Sequence, residues 1–264
     1  MTNTHWTTYE RLARRYSRTL PVLHRVLSQR FPEALWLGDP GRAEVALTFD
    51  DGPHPNDTPA LLNVLARHGL RATFFNTGTA FDGNQTLARA VITAGHQIAL
   101  HGMVHQPFLH ERLRPFVCGL LELQRALSVA TGAMPARFAD VRPPFGIFTP
   151  HTLTALRQAG LRPVMWSSVP FHWHQTFDET LAQVRRDLRP GAIIVLHEGM
   201  PTGPNVAALA DAVIRLVRDT GYRFVTVSEM SSASHNTIDT ARWRVGLEEV
   251  IPGHRATQCT MTGR

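Results

Sequence analysis

Asp50 and Asp51 stand side by side at the end of an apolar stretch, Val45–Phe49, and Gly52, Pro53 and Pro55 follow at once. The stretch fits a strand covered on both faces, and the glycine and prolines forbid its continuation. Two carboxylates at the mouth of a core strand are costly to leave unpaired. Either they are solvated in an Asp-Asp-Gly turn, or they face a metal ion or a reacting group. Further along, His101 and His105 have a His-x-x-x-His spacing. If that segment turns helically, both imidazoles lie on one side. Two imidazoles and one carboxylate form the three-ligand set of a catalytic zinc, with one position left for water. Two separately hydrogen-bonded histidines are the alternative in a chain that has 14 of them.

These residues must be held by something, and the chain supplies an alternation of strands and helices. Strands are predicted at Val45–Phe49, Arg71–Phe75, Gln97–Leu100, Arg137–Val141, Pro163–Trp166, Ala192–Leu196 and Arg223–Val227. Helices are predicted over 59–68, 86–94, 111–130, 150–159, 177–188 and 205–219, the first with Thr58 as N-cap and Pro59 behind it. Gly69, Gly95, Gly132, Gly160 and Gly221 sit where helix-ending glycines belong. A helix between each pair of strands predicts parallel pairing with right-handed crossovers. No Gly-x-Gly-x-x-Gly follows the first strand, so a barrel suits the pattern better than a dinucleotide-binding open sheet. In a parallel barrel the reactive groups gather at the carboxyl ends of the strands. Asp50 and Asp51 end the first predicted strand, His101 follows the third, Arg142 the fourth, and His197 ends the sixth. All fall on one rim.

With those residues in place, the chain resembles the NodB-homology polysaccharide deacetylases, carbohydrate esterase family 4. Thr48-Phe49-Asp50-Asp51-Gly52-Pro53 is similar to the first family motif, His101–His105 to the second, Arg142-Pro143-Pro144-Phe145-Gly146 to the third, and Val195-Leu196-His197 to the fifth. The resemblance covers about residues 44–230 and implies a distorted (β/α) barrel of seven strands. It implies that Asp51, His101 and His105 bind one divalent metal, most often zinc, with cobalt or manganese able to serve. Asp50 would be the general base, His197 the general acid, and Arg142 would orient Asp50. The Phe145 backbone N–H would help stabilise an oxyanion, with Pro144 and Trp173 around the substrate; His54 either touches the substrate or sits in a solvated loop. Such a set hydrolyses the N-acetyl amide of a sugar. The fourth motif departs: Val169 and His172 stand where two aspartates are usual, which leaves His197 and Arg142 without an expected charge unless Asp140 or Glu198 supplies it. The rival readings are hydrolysis of another amide, such as a cyclic imide or ureide, and a sugar-binding protein with impaired catalysis. Trp166, in an apolar strand, reads as core.

The implied organisation is an N-terminal extension over 1–43, a catalytic domain over 44–230 and a tail over 231–264. Tyr9–Arg30 spaces Leu12, Tyr16, Leu20, Leu23 and Leu27 as an amphipathic helix, either packed on the domain or lying on an anionic membrane surface. Residues 1–31 hold six arginines against Glu10 alone, most of the net charge of +6, so the remaining chain has no nucleic-acid footprint. No apolar run reaches membrane-spanning length, and the first residues do not read as a signal peptide, so the expected location is cytoplasmic, with the inner membrane surface as a variant. Cys118 and Cys259 suggest neither a disulfide framework nor a metal site.

Overall fold

The structure, a computed structural model, describes residues 26–109 and 112–232. Strand β1 (Glu44–Asp50) is followed by α1 (Asp57–His68), β2 (Thr73–Asn76), α2 (Gly78–Phe81), α3 (Gln85–Thr93), β3 (Gln97–Leu100), α4 (Leu113–Thr131) and β4 (Asp140–Val141). Then come α5 (Pro150–Gln158), β5 (Arg162–Pro163), α6 (Phe177–Asp187), β6 (Ile193–His197), α7 (Val206–Asp219), β7 (Arg223–Phe224) and α8 (Val227–Ser232). All six expected helices are present. The five glycines expected at their ends all adopt positive φ, the conformation that lets the chain leave a helix.

The sheet runs β5-β4-β3-β2-β1-β6, with β7 beside the start of β1, and every pair is parallel. Beyond β5 the chain bends round to β6. Ser168 bridges Ile194, and the Val195 N–H donates to the Ser168 carbonyl at 2.9 Å. The sheet therefore curls into a barrel, as expected. β1 is buried from end to end, because the barrel interior covers one face and helices the other. Its register sets Asp50 level with His197 on β6 and Phe75 on β2. Outside, α7 buries Val206, Leu209, Ala210, Val213, Ile214 and Val217, the i, i+3, i+4, i+7 stripe of a helix lying on a sheet. These join Leu61, Val64 and Leu65 of α1 in the main core. Each fully buried aliphatic side chain contributes about 1.5–3 kcal/mol, so the rim that carries the polar residues rests on a rigid base.

Several expectations are corrected. Thr58 does not cap α1: the helix starts at Asp57 with Asn56 before it, and the Thr58 hydroxyl instead donates to buried Glu198. The fourth strand is only Asp140–Val141, because Pro135–Phe138 forms a 3₁₀ turn that Pro135 starts. The seventh ends at Phe224, and Val227–Ser232 is helical. The Thr226 and Glu229 side chains close that helix start reciprocally, a Ser/Thr-x-x-Glu box legible in the sequence but not read there. Within the stretch before β1, Leu35 bridges Val164 and exchanges backbone hydrogen bonds with Pro163 and Met165. Cys118 is disulfide-bonded, against expectation. The expected basic helix lies outside the described residues except for 26–30, and so does nearly all of the tail. Among the described residues, no helix is long and apolar enough to cross a membrane.

Candidate functional site

β1 delivers Asp51 one residue past its end, in a left-handed conformation (φ +73°) that a non-glycine residue adopts at a cost of roughly 1–3 kcal/mol. β3 delivers His101 in the same way. Residues 101–105 are not helical as the spacing had suggested. Instead Gly102 (φ +90°) turns the chain so that His105 comes back over the site. The His101 Nδ1–H donates to the Arg142 carbonyl at 2.8 Å, which leaves Nε2 as the free lone pair. That Nε2 lies 3.4 Å from Asp51 Oδ1, and His105 Nε2 lies 3.3 Å from the same oxygen. Three ligand atoms thus converge within 4.8 Å of one another.

The donor set fits a divalent metal. Bonds of 2.0–2.1 Å at tetrahedral angles place neighbouring ligand atoms about 3.3 Å apart, close to the two Asp51–histidine separations. Asp51 Oδ1 is also buried without a hydrogen-bond partner. Burial opposes the Asp51 charge, but the neighbouring His101, with His197 and His105 behind it, outweighs burial and holds the carboxyl well below its usual range. Burial keeps His105 below an ordinary imidazole, hence neutral and able to ligate. Asp51→Ala is expected to abolish binding of one divalent metal per chain, read by metal analysis after dialysis. Full occupancy in the variant would move the metal elsewhere.

Beside the triad, Asp50 is 3 % exposed and Arg142 is fully buried. Arg142 NH1 donates to Asp50 Oδ1 at 2.5 Å and to Thr48 Oγ1 at 2.8 Å, and NH2 donates to the Met165 carbonyl at 3.1 Å. The guanidinium also lies 3.9 Å over the Phe75 ring. Burial pulls the arginine down from its ordinary value and Asp50 counters it. Asp50 Oδ2 remains free to face the triad, 3.8 Å from His101 Nε2. Thr48 was missed in the sequence, although the two-residue period of a strand puts it on the Asp50 side of β1.

His197 lies level with Asp50 on the neighbouring strand, with Trp173 edge-on at 4.7 Å between centroids. Its Nδ1 is buried without a partner, and burial lowers its pKa, opposed by Asp51 and Asp50. Buried His172, at one of the two departed positions, accepts the His197 backbone N–H on Nε2 at 3.0 Å. Burial, then the nearby His197, push His172 down to about 3, so it stands in as a neutral acceptor. Of the two proposed substitutes, Asp140 contributes its charge to Arg142, behind burial and Asp50, whereas Glu198 supplies none. Asp140 is held by Gln97 and Arg162, and Glu198 by Thr58 and the His54 backbone N–H. Burial drives Glu198 up to about 8, so it is neutral at pH 7. A Cβ on Gly52 would collide with that carboxyl, which explains a glycine directly after the two aspartates.

The other expected residues fall at the rim with different standing. Phe145 is exposed, in left-handed backbone (φ +58°), with its ring 4.4 Å from that of His105. Pro144 is buried beneath Gly102 and props the rim rather than offering a face. His54 accepts the Asp57 N–H on Nδ1 at 3.2 Å, which ties it to the start of α1 at the edge of the site. Trp166 is partly buried against the core and also fills the space behind Gly146, steadying the Arg142–Gly146 loop.

A polysaccharide deacetylase family model matches residues 38–164. A chitooligosaccharide deacetylase of Sinorhizobium fredii is 38% identical over 66% of this chain and 80% of its own length. Among solved structures, the Bc1960 peptidoglycan N-acetylglucosamine deacetylase superposes with a TM-score of 0.68 at 27% identity, over 75% of this chain and 92% of that one. A CE4 family pseudoenzyme from Bacillus anthracis superposes equally well, TM-score 0.68 at 23% identity, over 75% of this chain and 69% of that one. Fold alone therefore does not assign activity, and the chemistry has to be argued from the site.

Proposed function

The chain belongs to the NodB-homology polysaccharide deacetylases of carbohydrate esterase family 4, and on that premise we propose that it is a metal-dependent hydrolase removing the acetyl group from an N-acetylated sugar. The convergence of Asp51, His101 and His105 beside an Arg142-held Asp50 carries this reading. A divalent metal held by the three ligands, zinc or else cobalt or manganese, would polarise the amide carbonyl and acidify a water. Asp50 takes the proton of the attacking water on Oδ2, because Oδ1 is fixed by Arg142. His197, level with Asp50 on the neighbouring strand, returns a proton to the departing amine nitrogen. Trp173 offers its ring to the sugar and keeps water from His197. The backbone N–H of Phe145, at the rim beside His105, would help stabilise the developing oxyanion.

The relatives' names support N-acetylglucosamine-containing chains as the substrate class. The test is acetate release from N-acetylglucosamine oligomers by zinc- or cobalt-loaded protein, with a chelated control. Metal-dependent release is expected, and Asp50→Asn should lower kcat by about 10²–10⁴ with metal content unchanged. A second reading has one observation in its favour. His197 lacks a carboxylate on Nδ1 and His172 is neutral, as in a sugar-binding member with impaired catalysis. Binding of the oligomers without release would select it. Release from a cyclic imide or ureide but not from the oligomers would select another amide substrate.

A further inference from the structure

At the opposite end of the barrel, a cavity of about 370 Å³ opens where β2–β5 begin, walled by the Pro135–Phe138 turn and α8. Its charged lining is Arg71, Arg137, Arg162, Asp140 and Glu229, with His96 among them. Both acids are already engaged. Asp140 accepts from Arg162 Nε and Gln97 Nε2, each at 2.6 Å, and Glu229 pairs with Arg71. Arg137 is exposed and has no ion pair among the described residues. The lining therefore keeps one uncompensated positive charge.

His96 gives the cavity a built polar floor. It is 3 % exposed, and its Nδ1 accepts the Ala72 N–H at 3.3 Å, so the ring proton is on Nε2. That Nε2–H has no hydrogen-bond partner among the described residues. Burial and then Arg71 lower the ring to about 4, so at neutral pH it is an uncharged donor rather than a cation. The Nε2–H opens on the cavity that Arg137 also lines, where one oxyanion can accept from both.

We infer that this end of the barrel is an oxyanion site for a phosphoryl group, bound by the His96 Nε2–H and the Arg137 guanidinium. Arg71 and Arg162 contribute the N–H groups their carboxylates leave free. The cavity falls in the size range of small-molecule sites and exceeds what a single oxyanion fills. Ile92, Ile98 and Ala139 line the remainder and suit the body of a phosphate ester. The site is separate from the metal triad and does not rest on the deacetylase reading.

Phosphorus NMR titration tests it, with inorganic phosphate and glucose 6-phosphate as probes, at constant ionic strength set with sodium chloride. Saturable binding is expected in the unaltered protein, weakened about tenfold or more in Arg137→Ala, the scale of one charge-assisted hydrogen bond. Asp51→Ala should bind as before, and Arg137→Ala should leave acetate release unchanged. Tighter binding of glucose 6-phosphate identifies an ester as the ligand, and equal binding identifies the free ion. Either supports the site. Absence of binding by both probes, or binding that Arg137→Ala leaves intact, overturns it. His96→Gln should weaken binding as well. If that variant does not fold, Arg137→Ala decides alone, since its side chain lies at the surface.

Discussion

Arg142→Met should unfold about 3–5 kcal/mol more easily than the unaltered protein at pH 7 and should show almost no acetate release. The arginine is fully buried and is the charge partner of an aspartate that is itself buried. Removing one member of such a pair leaves the other charge uncompensated, and that penalty exceeds the worth of the pair itself. Thr48 Oγ1 and the Met165 carbonyl lose their guanidinium donors in the same change. Urea unfolding reads the stability, and a double variant separates the causes. Arg142→Met with Asp50→Leu should regain most of the lost stability, because no charge remains to be buried, yet stay inactive for want of its base. A single-variant loss below about 1 kcal/mol would mean that Asp50 does not depend on Arg142.

Glu198→Gln should flatten the pH dependence of stability on the alkaline side. The Glu198 carboxyl moves from an ordinary 4.5 to about 8 in the folded protein, chiefly through burial. Below pH 4.5 it is neutral whether the chain is folded or not, and it costs nothing. Between 4.5 and 8 the unfolded chain ionises first, so stability falls as pH rises. Above 8 the folded form also bears the buried charge, and the accumulated loss is about 5 kcal/mol. The glutamine variant lacks this fall. It should match the unaltered protein near pH 4.5 and exceed it by several kcal/mol at pH 8.5, read from urea midpoints. Parallel pH profiles for the two proteins would show that Glu198 is ionised throughout. A neutral Glu198 also suits the site, since a third negative charge beside Asp50 and Asp51 would compete with Arg142 and the metal ligands.

Much of this was legible along the chain because it is local. The alternation of apolar runs with amphipathic stretches, ended by glycines, predicts the helices and the parallel strands in their order. Residues placed just after strands in such a pattern must share a rim, so Asp50, Asp51, His101, Arg142 and His197 could be grouped before any coordinates. Boundaries failed where local signals competed. Arg137–Val141 alternates like a strand, but Pro135 starts a 3₁₀ turn, and the apolar run into Val227 hid the reciprocal cap of α8.

The sequence by itself determined which elements form and which reactive groups meet, because propensity, periodicity and chain connectivity act over a few residues at a time. Only the tertiary structure decided the charge states and the pairing. That Thr58 serves Glu198 rather than its helix, that Glu198 is neutral, that Arg142 closes on Asp50 and that His172 replaces an anion with an uncharged acceptor all depend on burial and on atoms distant in the chain. Desolvation and Coulomb interaction at short range set those states, and no spacing along a sequence encodes either.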